Sequence, residues 1–112
     1  MQSLILLNDP TWVEAARVLA TRVLQSNSDD GTRLRQLVRR VLSRSPQNDE
    51  LSLLRDLLQR QRQRFLLAPA NAKMLVSVGE WKLDESIDVI ELAAMTVVAH
   101  TLLNLDEAMT RR

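Results

Sequence analysis

Apolar residues recur along most of this chain at intervals of three and four, the spacing that lines one face of an α-helix. The first such segment is expected over Pro10–Gln25. Asp9 stands at its N-cap and Pro10 at the first helical position, where a missing amide does no harm. Trp12, Val13, Ala16, Leu19, Ala20 and Val23 form its buried stripe, and Glu14, Arg17, Thr21 and Gln25 face water. The polar loop Ser26–Gly31 follows. A second helix is expected from Gly31 to Ser43 on Leu34, Leu37, Val38, Val41 and Leu42, ended by Ser45-Pro46. Gln47 or Asn48 opens the third, with Asn48 the structural cap and Asp49 and Glu50 in the first turn, where acids complement the helix dipole. It runs to Leu67 through Leu51, Leu54, Leu57, Leu58, Gln61 and Phe65. Its polar far half, QRQRQRF, is expected to extend past the core. A short helix over Ala70–Val78 stops at Gly79. A linker, Glu80–Ser86, lays Trp81 on the bundle.

The last segment, Ile87–Leu105, breaks the one-sided pattern. Ile87, Ile90, Ala94, Val97, Val98, Thr101, Leu102 and Leu105 make one stripe, and Val89, Leu92, Ala93, Met95 and Leu103 make the opposite face apolar as well. Such a helix is central in a bundle or lies in a membrane. Glu91 and His100 interrupt it, and Asp88, Asp106 and Glu107 border it, so the core reading is preferred to a span, which needs about 18 or more apolar residues with few charges. Asp84 or Ser86 is expected to cap it, and it continues to about Thr110. The fold class is therefore all-α: one domain over residues 1–112, a bundle of four or five helices around a buried C-terminal helix.

Composition agrees and narrows the chemistry. Two glycines and three prolines are too few for a chain of many strands and turns. Fifteen basic and fourteen acidic residues leave a formal charge of +1, which disfavours a strongly electrostatic partner such as bulk nucleic acid or an anionic membrane. With no cysteine there is no disulfide, thiolate zinc site or covalently attached haem within these residues. The amino terminus has no visible signal-peptide pattern.

Four segments share a further pattern: LLNDPTWVEAARVLATRVL at 6–24, VLSRSPQNDELSLLRDLL at 41–58, VGE at 78–80 and ELAAMTVVAHTLLNLDEAMTR at 91–111. In this order they resemble the C-terminal part of a bacterial domain of unknown function that closes large planctomycete cytochrome-type proteins. Met95 stands where that family usually has Trp, and the chain begins inside the family's domain. The resemblance implies a helical C-terminal module with no known activity. Longer relatives can carry a c-type haem domain upstream, but no haem-binding motif is present here, so no haem function transfers. A free-standing product would be cytoplasmic, and a part of a longer relative would be exported.

Candidate chemistry is sparse. His100 is the lone histidine, and a metal site needs further converging ligands, so no metal or other cofactor is expected. Glu91 and Asn104 lie near it at helical spacing, but a structural role suits it better. Asp106 and Glu107 could form a carboxylate pair, yet adjacent helix positions do not face each other; pairing with Arg17 is the alternative if the chain's ends meet. Arg33, Arg35, Arg39, Arg40 and Arg44 invite a nucleic-acid reading, although their spacing covers more than one face and acids lie nearby. Trp12 and Trp81 could line a pocket, with core packing preferred for Trp12. No catalytic residue is assigned. The expected function is a non-catalytic structural or protein-interaction module, its partner being an upstream part of a longer protein or a second copy in a homodimer. The alternatives are nucleic-acid binding through the Arg33–Arg44 helix and an accessory role in a larger enzyme or electron-transfer protein.

Overall fold

The computed structural model describes residues 10–110, with side chains through Ala108. Asn8 and the expected Asp9 cap lie outside the described residues. Five helices follow in order: α1 (Pro10–Ser26), α2 (Asp30–Leu42), α3 (Asn48–Leu67), α4 (Pro69–Val76) and α5 (Val89–Thr110). There is no strand among the described residues. Helices α1 to α4 pack round α5, each also touching the next in sequence from α1 to α2, α2 to α3 and α3 to α4, with α1, α3 and α4 sharing the more extensive contacts with α5. The expected helical bundle around a C-terminal helix is the one observed.

The centre of α5 explains the arrangement. Leu92, Ala93, Ala94, Met95, Thr96, Val98 and Ala99 are each fully buried, so the helix is covered on every side over two turns. Burying a large aliphatic side chain contributes roughly 1.5–3 kcal/mol, and no other helix offers such a run. The small residues Ala93, Ala94 and Ala99 let neighbouring backbones approach. Thr96 turns its hydroxyl onto its own helix, donating to the Leu92 carbonyl at 2.7 Å, so its burial leaves no open donor. By length and composition, Val89–Ala108 could also cross a membrane, with mean hydropathy 1.4; half of that stretch is buried inside the bundle.

The helix ends show where local chemistry acted. Asp29 caps α2 by accepting from the Thr32 amide at 2.9 Å, so that helix starts one residue before the expected Gly31. Ser43 ends it in the left-handed conformation, φ 60°, its amide donating to the Arg39 carbonyl at 3.0 Å. At α3 the cap is Gln47, with Asn48 the first helical residue: the Glu50 side chain reaches back to accept from the Gln47 amide at 2.8 Å, half of a capping box. The cap of α5 is neither Asp84 nor Ser86. Asp88 accepts from the Glu91 amide at 3.0 Å, and the helix begins at Val89 rather than Ile87. Asp84 instead closes a local turn with Ser86 and takes a bond from Gln25 at 2.6 Å. Helix α4 ends at Val76, two residues short of expectation.

Two expectations about faces fail. Arg17 and Thr21 are buried, not solvated; Arg17 is covered by the segment after α4, which folds back across α1. The far half of α3 does not run past the core: Gln61 and Phe65 are buried and Arg62 bridges to two other helices. Trp12 is only half-buried.

Candidate functional site

Long-range polar contacts fix how the helices stand. Arg62 on α3 donates to Asp30 at the start of α2 at 2.8 Å and to Glu91 at the start of α5 at 2.7 Å. The hydrogen bonds from Arg62 hold the Asp30 carboxyl below its ordinary range, and Asp30, then Glu91, raise the guanidinium in return. The same contacts set direction. The Arg62 end of α3 and the start of α2 meet the start of α5, so α2 runs parallel to α5 and α3 antiparallel. Leu24 and Gln25 of α1 meet Ile87 and Asp88 across a cavity of about 420 Å³, so α1 is antiparallel to α5.

A second tie closes the opposite side. Arg17, 1% exposed, donates from Nε and Nη2 to the Val78 carbonyl at 3.3 and 3.2 Å, and from Nη2 to the Trp81 carbonyl at 2.5 Å. Its guanidinium carbon lies 5.8 Å from the centre of the Trp81 ring. Nη1 is buried without a partner. Burial pulls the guanidinium below its usual range, with the Glu14 carboxylate opposing. Glu14 accepts from the Trp81 amide and lies against Gly79, whose φ of +93° suits glycine alone.

The residues singled out for chemistry are dispersed. His100 is buried and meets Asn104, Nδ1 to Nδ2 at 3.3 Å. If that amide donates, the ring proton sits on Nε2. Glu91 belongs to Arg62 instead. Arg17 goes to carbonyls rather than to Asp106 or Glu107. No group of three metal-ligating side chains gathers among the described residues. Of the α2 arginines, Arg33 donates to the Asn27 and Leu24 carbonyls at 2.7 and 3.4 Å, finishing α1. Arg44 holds Glu50 in a two-bond pair at 2.8 and 2.7 Å, which keeps that carboxyl at about 2. Arg39 touches Ser45, and Arg35, Arg39 and Arg40 are exposed.

Among the described residues, an apolar concavity lies where α2 ends, α3 begins and α5 ends. This groove, about 390 Å³, is walled by Leu42, Leu54, Leu57 and Leu102 and edged by Leu53 and Leu105, with Arg44, Glu50 and Arg60 at the rim. Leu53 is 66% exposed and Leu105 50%. Its volume is at the small end of ligand pockets, about 300–1,000 Å³. Leu53 was outside the stripe read from the sequence; Leu53 and Leu57, four apart, were the signal of a second apolar face.

The class defined by this fold and surface is an all-helical bundle that carries an open apolar groove. Within that class the chain belongs to the family described as a protein of unknown function (DUF1553), PSD1, whose model matches residues 1–58. No curated protein and no solved structure matches it.

Proposed function

We propose that this chain is a non-catalytic helical interaction module that holds an apolar protein segment in the groove between α2, α3 and α5. The observation that carries the reading is the groove itself: leucines on three helices, two of them substantially open to water, in a bundle whose other large aliphatic residues are mostly in the core. Several ionic side chains with shifted titration have architectural duties. Arg17 ties the α4–α5 segment, Arg62 with Asp30 ties three helices, and Arg44 with Glu50 fixes the α2–α3 corner. Core packing accounts for the apolarity of α5 without a membrane, and that too belongs to this proposal. So does the kinship with the domain closing large planctomycete cytochrome-type proteins, which rests on the segments at 78–80 and 91–111 beyond the matched residues. An upstream part of such a protein, or a second copy, is the kind of partner envisaged.

Thiol labelling tests the reading, because the chain has no cysteine of its own. Leu105→Cys reports on the groove, and Leu67→Cys, on a residue 88% exposed at the far end of α3, is the reference. An occupied groove slows labelling at position 105 by about tenfold or more relative to position 67, well beyond the difference in exposure. Rates within about twofold of each other, in a monomeric protein, would refute it.

A further inference from the structure

We infer that the corner between α3 and α4 is a docking tip for an anionic lipid surface, made by Leu66, Leu67 and Met74 and the basic side chains around them. The inference is independent of what fills the α2–α3–α5 groove.

The corner is built so that these three side chains face outward. Phe65, the last residue of the α3 stripe, is buried, and so are Ala72, Leu75 and Val76 on α4. Each helix thus turns one face to the core. Leu66, Leu67 and Met74 fall on what is left, and are 59%, 88% and 69% exposed. A single residue, Ala68, separates the two helices. Its amide donates to the Arg64 and Phe65 carbonyls at 3.1 and 3.2 Å, and its carbonyl accepts from the Asn71 amide at 3.0 Å. Pro69 opens α4 at a position where no amide is needed. The apolar side chains are therefore presented by a hydrogen-bonded turn, not by a loose loop. A side chain as open as Leu67 projects from a convex surface. Neither the apolar groove nor the cavity between α1 and α5 includes any of the three. A projecting apolar tip suits a partner that deforms around it, as the headgroup and acyl-chain boundary of a bilayer does.

Charge names the kind of bilayer. Residues 57–79, between Asp56 and Glu80, contain no acid, while Arg60, Arg62, Arg64 and Lys73 lie within them. Arg62 is committed to Asp30 and Glu91. Arg60, Arg64 and Lys73 are exposed. Arg60, Arg64 and Leu67 share one face of α3, at spacings of four and three, and Lys73 adjoins Met74 on α4. The whole-chain charge of +1 conceals this local excess, because the acids lie elsewhere in the chain. Long basic side chains lay their stems along apolar surface and hold their charged heads at the level of lipid phosphate. Each Lys or Arg near an anionic membrane surface contributes about fivefold in binding.

Flotation of the full chain with lipid vesicles tests the inference. One set of vesicles is phosphatidylcholine alone, and the other is phosphatidylcholine mixed with phosphatidylglycerol. At low salt the parent should float with the mixed vesicles about tenfold or more above its level on phosphatidylcholine. The binding should fade as salt shortens the screening length from about 10 Å to about 3 Å. Leu67→Ser combined with Met74→Ser removes the apolar tip, and Arg60→Gln combined with Lys73→Gln removes two charges; each pair should lower binding about tenfold or more. Arg39→Gln combined with Arg40→Gln changes two exposed basic residues at the end of α2 and should stay within about twofold of the parent. Circular dichroism checks that each variant is folded. No flotation of the parent with either vesicle overturns the inference and leaves the tip to a protein partner. Equal flotation on both compositions, or equal losses from the α2 pair and the α3–α4 pairs, overturns it as well.

Discussion

Replacing Arg17 by Met should loosen the Val78–Trp81 segment from α1 and destabilise the whole chain. Two backbone carbonyls accept from this guanidinium, and both sit in a partly buried setting. A hydrogen bond to a charged group contributes about 1.5–3 kcal/mol net, so two such acceptors represent about 3–6 kcal/mol. Against this stands relief of the burial that already lowers the guanidinium, and of Nη1, which is buried unpaired. Met also keeps much of the apolar stem contact. The balance is a loss of about 2 kcal/mol. With a urea slope of about 1–3 kcal/mol per molar, the unfolding midpoint followed by circular dichroism falls by about 1 M. A local readout separates this from general damage. In a Trp12→Phe background, Trp81 is the lone tryptophan, and its native emission should shift to the red as the ring loses the guanidinium 5.8 Å from its centre. Arg17→Lys should lie between, since one ammonium keeps the charge but lacks the fork that serves both carbonyls. If Arg17→Met is as stable as the parent and Trp81 emission is unchanged, the buried charge is a net burden and this account of the segment is wrong.

Other outcomes follow from the same contacts. Leu92→Ala removes a fully buried leucine from the middle of α5 and should destabilise by about 3–5 kcal/mol in the same urea assay, more than any single exposed change. Gly79→Ala places a Cβ against Glu14 at a backbone angle that L side chains disfavour, for a loss of about 1–2 kcal/mol and a red shift of Trp81 emission. Glu50 is held at about 2, below its ordinary 4.5, first by Arg44. A carboxyl lowered by folding stabilises above its unfolded value and loses that contribution as pH falls through the folded one. The stability curves of the parent and Arg44→Gln should therefore separate above about pH 4.5 and converge towards pH 2, with the gap shrinking in high salt because the pair is exposed.

The core helix was legible because its signal is local: a run of apolar residues that no surface helix needs. Leu34, Leu37 and Val38, or Leu54, Leu58 and Phe65, were legible for the same reason, as stripes at helical spacing. What was hidden depended on partners far along the chain. Arg17 sits among residues that face water on an isolated helix, and only Val78 and Trp81, more than sixty residues on, bury it. Arg62 lies in a polar tract that reads as solvated until Asp30 and Glu91, 32 and 29 residues away, are brought to it. The Asp88 cap was legible in principle, since an acid three residues before Glu91 is a helix-start pattern; the stronger turn signal of Asp84 and Ser86 obscured it. The groove was least legible of all, because Leu105 reads as part of the α5 stripe and Leu53 as a surface leucine until three helix termini converge.

Methyl nuclear Overhauser contacts in the full chain test the central claim most directly. An occupied groove predicts that Leu53 and Leu105 methyls contact aliphatic side chains that belong to none of α2, α3 and α5. Contacts confined to the groove's own walls, with both leucine methyls freely open to a solvent-borne paramagnetic probe, would contradict it.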